Sequence, residues 1–186
     1  MKGTHEIIIA GFGGQGVLSM GQIIAYAAMN DNKEVSWMPS YGPEMRGGTA
    51  NCTVIVSDSR ISSPIVTKFD TAIVLNQPSL EKFESAVKPG GLLIYEKSTI
   101  IIPPKRTDID VLAISGLDVA QELKSKQVAN MVILGAFLAK HPIVKSEHVV
   151  SALKSVLPAH RQNLIPLNEQ ALVRGKELAL EIVNTQ

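Results

Sequence analysis

The chain has 186 residues, of which 45% are hydrophobic and 19% are charged, and its formal net charge is +1. This balance is typical of a globular protein with a full core and gives no reason to expect nucleic acid or a membrane surface as a partner. The single cysteine, Cys52, excludes an internal disulfide, a CxxC metal site and an iron–sulfur cluster held by this chain alone.

No apolar run approaches the roughly 20 residues that a membrane-spanning helix needs. The sequence enters a strand pattern within its first ten residues, where a signal peptide would show a charged and then an apolar region. We therefore expect a cytoplasmic protein.

Strand and helix patterns alternate over the first 114 residues, which predicts an α/β fold. In chain order we predict strand 5–10, helix 15–29, strand 35–38 (ended by Pro39), strand 50–56, an extended piece from Ile61, strand 71–75, a helix from Pro78 to about 87 (ended by Pro89-Gly90-Gly91), and strands 92–95 and 109–114. Gly21 and several alanines on the first helix predict that it packs closely on the sheet.

The last third of the sequence is predicted to be helical, at 117–124, 128–140, 146–156 and 168–183, with Asn168 as an N-cap. The segment 128–139 is apolar almost all round, so we expect it to be buried on several sides, by a partner among others. Residues 1–186 are predicted to form one domain. Its expected fold is a doubly wound, mostly parallel, Rossmann-like sheet with C-terminal helices.

A glycine-rich turn follows the first predicted strand: Gly11-Phe12-Gly13-Gly14-Gln15-Gly16. Strand, glycine turn and helix together present backbone N–H groups and a helix N-terminus to an anion. The alternative is a tight turn without a ligand. A nicotinamide site is disfavoured, because the second strand ends in Trp37-Met38-Pro39 and offers no carboxylate there for the ribose.

A second glycine-rich segment, 40–48, reads Ser-Tyr-Gly-Pro-Glu-Met-Arg-Gly-Gly. On one interpretation Tyr41 packs and Glu44 pairs with Arg46 on a solvated loop. On the other, Arg46 reaches an anionic ligand or a partner subunit, a role that suits its planar guanidinium. This loop, the first glycine turn and Asn76 all follow strands, so we expect them at one carboxyl edge of the sheet.

The sequence shows no reaction centre. The four histidines lack metal-ligand spacing, and no Ser or Cys lies in a nucleophile-elbow motif. Asn130 lies in an otherwise apolar helix, where we interpret it as a buried structural group.

The two glycine segments, in this order and at this distance, resemble the gamma subunit (or gamma domain) of the 2-oxoacid:ferredoxin oxidoreductases. Further similarity lies in Ser57-Asp58 with Ile61 and Ser63-Pro64, in Asp70 with Leu75-Asn76-Gln77, and in Asn130-Met131 before Leu134-Gly135. The resemblance spans most of the chain. It implies a subunit of a complex that oxidatively decarboxylates a 2-oxoacid, forms an acyl-coenzyme A and reduces ferredoxin.

The resemblance implies that thiamine diphosphate and the iron–sulfur clusters belong to alpha, beta and delta-type partner subunits, while this chain supports assembly and shares a coenzyme A site. The chain lacks a G-D-G thiamine motif and cluster cysteines. Isolated, it is expected to bind none of these cofactors and to form a homodimer or dissolve poorly. The implied cofactor-binding residues are Gly11, Gly13, Gly14, Gln15, Gly16, Tyr41, Arg46, Gly47 and Asn76.

Two alternatives to this reading stay open, a stand-alone Rossmann-like nucleotide- or phosphate-binding module and an NAD-dependent oxidoreductase. The 2-oxoacid also stays open. A branched-chain 2-oxoacid (ketoisovalerate) and 2-oxoglutarate both fit the form of the second glycine segment, and pyruvate is a further candidate.

Overall fold

The computed structural model describes residues 3–40 and 49–185. A six-stranded sheet lies at its centre, with the strand order β2-β3-β1-β4-β5-β6. The pairs β1–β4, β4–β5 and β5–β6 are parallel, whereas β3 is antiparallel to both β1 and β2. The strands are β1 (Thr4–Phe12), β2 (Glu34–Ser40), β3 (Thr49–Ser57), β4 (Phe69–Val74), β5 (Val87–Glu96) and β6 (Asp110–Ile114). The predicted α/β fold with a mostly parallel sheet is confirmed.

Helices cover both faces of this sheet. They are α1 (Val17–Asn30), α2 (Gln77–Phe83), α3 (Gly116–Glu122), α4 (Ala129–Lys140), α5 (Ser146–Val156) and α6 (Ile165–Thr185), with 3-10 turns at Glu84–Ala86, Lys126–Val128 and Ala159–Leu164. Each predicted helix is present. None of the helices in the described part of the chain has the length and apolar character needed to cross a membrane.

The side chains of each strand alternate between two hydrophobic cores. Ile7 and Ile9 of β1 belong to the larger core beneath α1 and α4, whereas Ile8 belongs to the smaller core beneath α2. This alternation follows from the two-residue period of a strand, and burial on both faces explains why β1 reads as a continuous apolar run.

α1 packs closely on the sheet at Gly21, as predicted. A Cβ at this position would lie 2.5 Å from Cys52 Sγ and 3.0 Å from Trp37 Nε1, so only glycine fits without movement of these side chains. Burial in this contact raises the pKa of the Cys52 thiol to about 12. Cys52 is therefore a packing residue rather than a nucleophile.

α4 is buried by its own chain, so the expectation that a partner helps to cover it was wrong. Its residues from Asn130 to Leu138 are all buried. α6 crosses it at two glycines: a Cβ at Gly135 would overlap the carbonyl of Leu172, and one at Gly175 would overlap the carbonyl of Val132. The two helix backbones thus touch directly. The sequence pattern of α4 alone does not show which helix packs against it.

Two strand boundaries differ from the prediction. Pro39 does not end β2, because β2 is an edge strand in which a residue without an N–H is tolerated. Pro89-Gly90-Gly91 lies inside β5, at the point where the β4–β5 register shifts. A Cβ at Gly91 would lie 2.8 Å from the carbonyl oxygen of Asp70, so the glycine permits this close strand contact.

One further assignment changes, whereas the extended piece predicted from Ile61 lies in the connection between β3 and β4, outside both strands. Asn168 is not an N-cap, because α6 begins at Ile165 and the Asn168 Nδ2 donates to the Leu164 carbonyl one turn back, at 2.7 Å. Such a bond to the backbone satisfies a polar side chain inside a helix.

His5 gives the stability of the fold a specific pH dependence. Burial, and the neighbouring His141 ring at a centroid distance of 4.9 Å, lower the His5 pKa to about 4, although Asp70 opposes the shift. Between pH 6.5 and 4 the unfolded chain binds a proton at this position that the folded chain does not bind, so stability falls as the pH falls.

We expect this site to remove about 2 kcal/mol of unfolding free energy between pH 7 and pH 4. Urea titrations at several pH values would measure the loss, and His5→Gln should reduce its slope. An unchanged slope in the variant would assign the acid sensitivity to other groups.

Candidate functional site

The glycine turn joins the carboxyl end of β1 to the N-terminus of α1. Gly14 has φ +94° and Gly16 has φ +77°, both in the left-handed region that favours glycine. A Cβ at Gly14 would meet no atom within 4 Å, so this residue faces open space. The turn is closed by one backbone hydrogen bond, from Gln15 N–H to the Phe12 carbonyl at 3.2 Å.

Gln15 ties this turn to the neighbouring strand. Its Oε1 accepts a hydrogen bond from Phe12 N–H at 2.6 Å, and its Nε2 donates to the Leu75 carbonyl, just after β4, at 3.0 Å. Gly11 lies directly beneath, where a Cβ would lie 2.7 Å from Gln15 Oε1. Both residues hold the turn in shape, which explains a glutamine inside the motif.

A cleft of about 520 Å³ opens in front of the turn. Its first wall is the turn and the first residues of α1, and its second wall comes from α4, α5, α6 and the turn before α6. Its lining is Phe12, Gly13, Gly14, Gly16, Val17, Leu18, Ser19, Ile23, Thr49, Ala50, Gln127, Val128, Asn130, Leu153, Leu157, Arg161, Leu164 and Asn168. A cleft of this size and mostly apolar character is typical of a small-molecule site.

The N-terminus of α1 forms one end of this cleft. The first helical hydrogen bond is donated by Met20 to Gly16, so the N–H groups of Val17, Leu18 and Ser19 have no acceptor among residues 3–40 and 49–185. Gly16, as N-cap, supplies no side-chain oxygen to them. Three unpaired N–H groups at a helix N-terminus favour an anion.

Arg161 adds a positive charge to the second wall. It is exposed, lines the cleft, and forms no ion pair with any carboxylate in the described part of the chain. The sequence analysis missed this residue, because the 3-10 turn that carries it is distant in sequence from both glycine segments.

A smaller cavity of about 140 Å³ lies on the other side of Gly14 and Gln15. Glu96 lines it, a buried carboxylate at the end of β5 that accepts hydrogen bonds from Ser98 N–H and Leu117 N–H, each at 3.1 Å. Burial raises the pKa of the Glu96 carboxyl, and these hydrogen bonds oppose the shift. Glu96 caps the start of α3 and was not identified from the sequence.

Asn130 lines both cavities, as do Gly14 and Gln127. It is 9% exposed, and its Oδ1 is buried without a hydrogen-bond donor among the described residues. Its Nδ2 lies against Gly16, where a Cβ would come within 2.5 Å. The structure thus brings Asn130 to the glycine turn, a placement that the sequence analysis did not anticipate.

Asn76 also lies at the carboxyl edge of the sheet, but its side chain caps a helix. Its Oδ1 accepts a hydrogen bond from Ser79 N–H at 2.8 Å and caps α2, and its side chain lines neither cavity. The following Gln77 holds a loop through its Oε1, which accepts from Ile101 and Ile102 N–H at 3.1 and 3.0 Å. The geometry therefore favours a structural role for Asn76 over ligand contact.

Three predicted site residues, Tyr41, Arg46 and Gly47, lie outside the described residues. The strands on either side are described: Ser40 of β2 pairs with Asn51, and Thr49 of β3 pairs with Phe12. Ser40 and Thr49 therefore both lie at the edge of the sheet that carries the glycine turn. In the described part of the chain, no group of three His, Cys, Asp or Glu side chains could hold a metal ion.

A family model described as pyruvate ferredoxin/flavodoxin oxidoreductase matches residues 6–178. The chain is 38% identical over 177 residues to the ketoisovalerate oxidoreductase subunit VorA of Methanothermobacter thermautotrophicus, covering 95% of this chain and 36% of that protein. It is 35% identical to the 2-oxoglutarate synthase subunit KorC of Methanocaldococcus jannaschii, covering 98% of this chain and 97% of that protein. The chain thus spans about a third of VorA but nearly all of KorC.

Solved structures show the same likeness. The gamma subunit of a keto/oxoacid ferredoxin oxidoreductase from Geobacter sulfurreducens superposes with a TM-score of 0.82 at 32% identity, covering 95% of this chain and 99% of that one. A 2-oxoglutarate:ferredoxin oxidoreductase from Magnetococcus marinus, solved with 2-oxoglutarate, coenzyme A and succinyl-CoA, gives a TM-score of 0.87 at 26% identity. That match covers 97% of this chain and 32% of the other.

Proposed function

Because this chain belongs to the gamma-type subunits of the 2-oxoacid:ferredoxin oxidoreductases, we propose that it completes the coenzyme A site of such a complex and supports its assembly. The complex would decarboxylate a 2-oxoacid oxidatively, form the acyl-coenzyme A and reduce ferredoxin. This chain would carry no step of bond making itself.

The cleft in front of the glycine turn supports this proposal most directly. It offers unpaired N–H groups of α1 at one end and the exposed, positively charged Arg161 on its second wall, and both would suit the phosphates of coenzyme A. The rest of the lining is mostly apolar, with Leu153, Leu157 and Leu164 among its members, and would suit a flexible apolar arm. An open turn at Gly14 would let a phosphate approach the backbone.

The segment 41–48 is proposed to complete the same site. Since Thr49, the first residue of β3, pairs with Phe12 beside the glycine turn, and Ser40 pairs with the nearby Asn51, Arg46 would be available either to a coenzyme phosphate or to a partner subunit. Tyr41 and Gly47 would belong to the same surface.

Alpha, beta and delta-type subunits are the proposed partners, and they would hold thiamine diphosphate and the iron–sulfur clusters. The single cysteine of this chain supports that division. Ferredoxin would be the electron acceptor of the complex, and the cytoplasm its location. Residues 1–186 would form one gamma-type domain, which isolated from its partners would form a homodimer or dissolve poorly.

Affinity purification of the chain from its native source tests this proposal. We expect it to co-purify with subunits that contain thiamine diphosphate and iron, whereas the chain produced alone should contain neither. Iron–sulfur absorbance in the reconstituted isolated chain would contradict the proposed division of cofactors. A native monomer that retains a nucleotide would support a stand-alone binding module instead.

A further inference from the structure

The connection from β5 to β6, residues 97–109, contains no α-helix. β5 and β6 are parallel, so the chain returns across one face of the sheet, where a helix is usual. Ile100 and Ile109 place this return on the side of the smaller core. Among the described helices only α2, with seven residues, adds a buried hydrophobic side chain to that core, whereas α1, α3, α4, α5 and α6 all contribute to the larger core. The smaller-core face is therefore thinly covered.

Two side chains, one from α2 and one from the 3-10 turn after it, fix the backbone of this connection. Gln77 Oε1 accepts hydrogen bonds from the N–H groups of Ile101 and Ile102, at 3.1 and 3.0 Å. Glu84 Oε1 accepts from the N–H groups of residues 105–106, at 2.5 and 2.8 Å. Four backbone donors are thus paired with side chains of the same chain, and the connection needs no partner to order it.

The fixed backbone presents apolar side chains to solvent. Ile101 is 91% exposed, the largest exposed fraction among the large hydrophobic side chains of the described residues, and Ile102 is 53% exposed. Pro103, which follows them, is also exposed. We call these three residues the apolar tip. A single exposed isoleucine needs no explanation, but a contiguous apolar group on an ordered backbone suits an anchor that loses little conformational entropy when it is buried.

The apolar tip is bordered by positive charge. Lys97 and Lys105 are exposed, and neither forms an ion pair with a carboxylate in the described part of the chain. Arg106 is already paired with Asp108 at 2.6 Å, and Glu81 on α2 accepts a hydrogen bond from the Gln77 side chain at 3.2 Å. A complementary surface would therefore surround an apolar pocket with carboxylates.

We propose that the apolar tip docks into an apolar pocket, bordered by carboxylates, on a partner subunit of the oxidoreductase complex. This inference rests on the proposed role in assembly and names the surface of this chain that carries it. A second copy in a two-fold dimer would bring the same lysines together around the tip, which like charges oppose. In the two longer relatives described above, the region that matches this chain is about a third of the polypeptide, so a gamma-type domain there has further polypeptide joined to it.

α6 also exposes large apolar side chains, but in a different pattern. Val173 and Leu180 are 47% and 54% exposed. Between them in sequence lie Arg174 and Glu177, which pair with each other at 3.1 Å, and Arg174 also pairs with Glu122 at 3.5 Å. Apolar side chains interspersed with ion pairs are typical of a helix face that stays in water. The tip, whose apolar residues are contiguous, is the better docking surface.

Ile101→Asp tests this inference, with titration of the partner subunits that co-purify with the native chain. We expect the variant to weaken assembly by about tenfold or more, because it would bury an unpaired charge beside carboxylates. Ile65→Asp is the matched control: Ile65 is 76% exposed and lies in the connection that leads into β4. It should assemble like the wild type. Both variants should keep the wild-type Tm, since both side chains are exposed.

The double variant Lys97→Gln/Lys105→Gln tests the charge of the proposed pocket. In dilute buffer we expect it to weaken assembly about threefold, and in about 1 M salt it should match the wild type, because salt screens exposed charges. Assembly that is unchanged in dilute buffer, or weakened equally at both salt concentrations, would contradict a pocket bordered by carboxylates and overturn the proposal.

The remaining outcomes separate this inference from the proposed function. Wild-type assembly of Ile101→Asp, an equal loss in Ile65→Asp, or a fall in Tm that accompanies the loss would each overturn the inference. If Ile101→Asp does not fold, Ile101→Ser replaces it, and unchanged assembly of that variant overturns the inference. Sedimentation of the chain alone tests the other occupant: a wild-type dimer that Ile101→Asp dissociates would assign the tip to a second copy and overturn it too. A wild-type chain that binds no oxidoreductase subunit would overturn the proposed function itself.

Discussion

Gly14→Val is expected to weaken coenzyme A binding to the assembled complex by about 1.5–3 kcal/mol, or roughly ten- to a hundredfold. Gly14 has φ +94° and faces open space in the cleft, so a side chain there would occupy the volume in which a phosphate approaches the backbone. The same side chain would strain the turn, since a branched residue rarely adopts positive φ. Equilibrium titration with coenzyme A measures the first effect.

Gly90→Val separates the two effects. Gly90 has φ +72° and its Cβ would also meet nothing within 4 Å, but it lies near the start of β5, outside the lining of both cavities. Backbone strain should lower the unfolding free energy of both variants by a similar amount. Only Gly14→Val should lose affinity for coenzyme A. Equal losses of affinity would show that strain, rather than blocked access, causes the defect.

Gly175→Val is expected to cost about 3 kcal/mol or more of unfolding free energy, beyond the usual range for overpacking. A Cβ at Gly175 would overlap the carbonyl of Val132 on α4, and backbone cannot move aside as a flexible side chain can. α4 and α6 would have to separate and expose part of the larger core. For a chain of this size we expect Tm to fall by about 6–12 °C.

Val173→Ala on the same helix serves as control. Val173 is 47% exposed, so its truncation should change stability by no more than about 0.5 kcal/mol. Thermal and urea unfolding of both variants gives the comparison. A Gly175→Val protein as stable as the Val173→Ala protein would mean that the close crossing of α4 and α6 is not needed for the fold.

Much of the fold could be predicted from local pattern. The apolar run of β1, the glycine turn after it and the period of the later helices each depend on neighbouring residues, so the sequence places these elements nearly where the structure has them. Local rules failed where tertiary context decides: Pro39 stays in β2 because β2 is an edge strand, and Pro89 stays in β5 because Gly91 allows a bulge.

The candidate site was predictable only where it is contiguous in sequence. The glycine turn could be recognised from its residues, whereas Arg161 and Asn130 reach the cleft from helical segments more than a hundred residues away. Gln15 and Asn76 show the converse: residues inside or near a motif can hold the backbone in place through hydrogen bonds. Such bonds have no sequence signature beyond the residue type.

Reconstitution of the complex with and without this chain tests the proposed function most directly. The assay would follow ferredoxin reduction with pyruvate, 2-oxoglutarate and 2-oxoisovalerate, each at varied coenzyme A. We predict that one 2-oxoacid supports coenzyme A-dependent reduction only when this chain is present, and that Gly14→Val raises the KM for coenzyme A. Full activity with an unchanged KM for coenzyme A in a complex that lacks this chain would contradict the account.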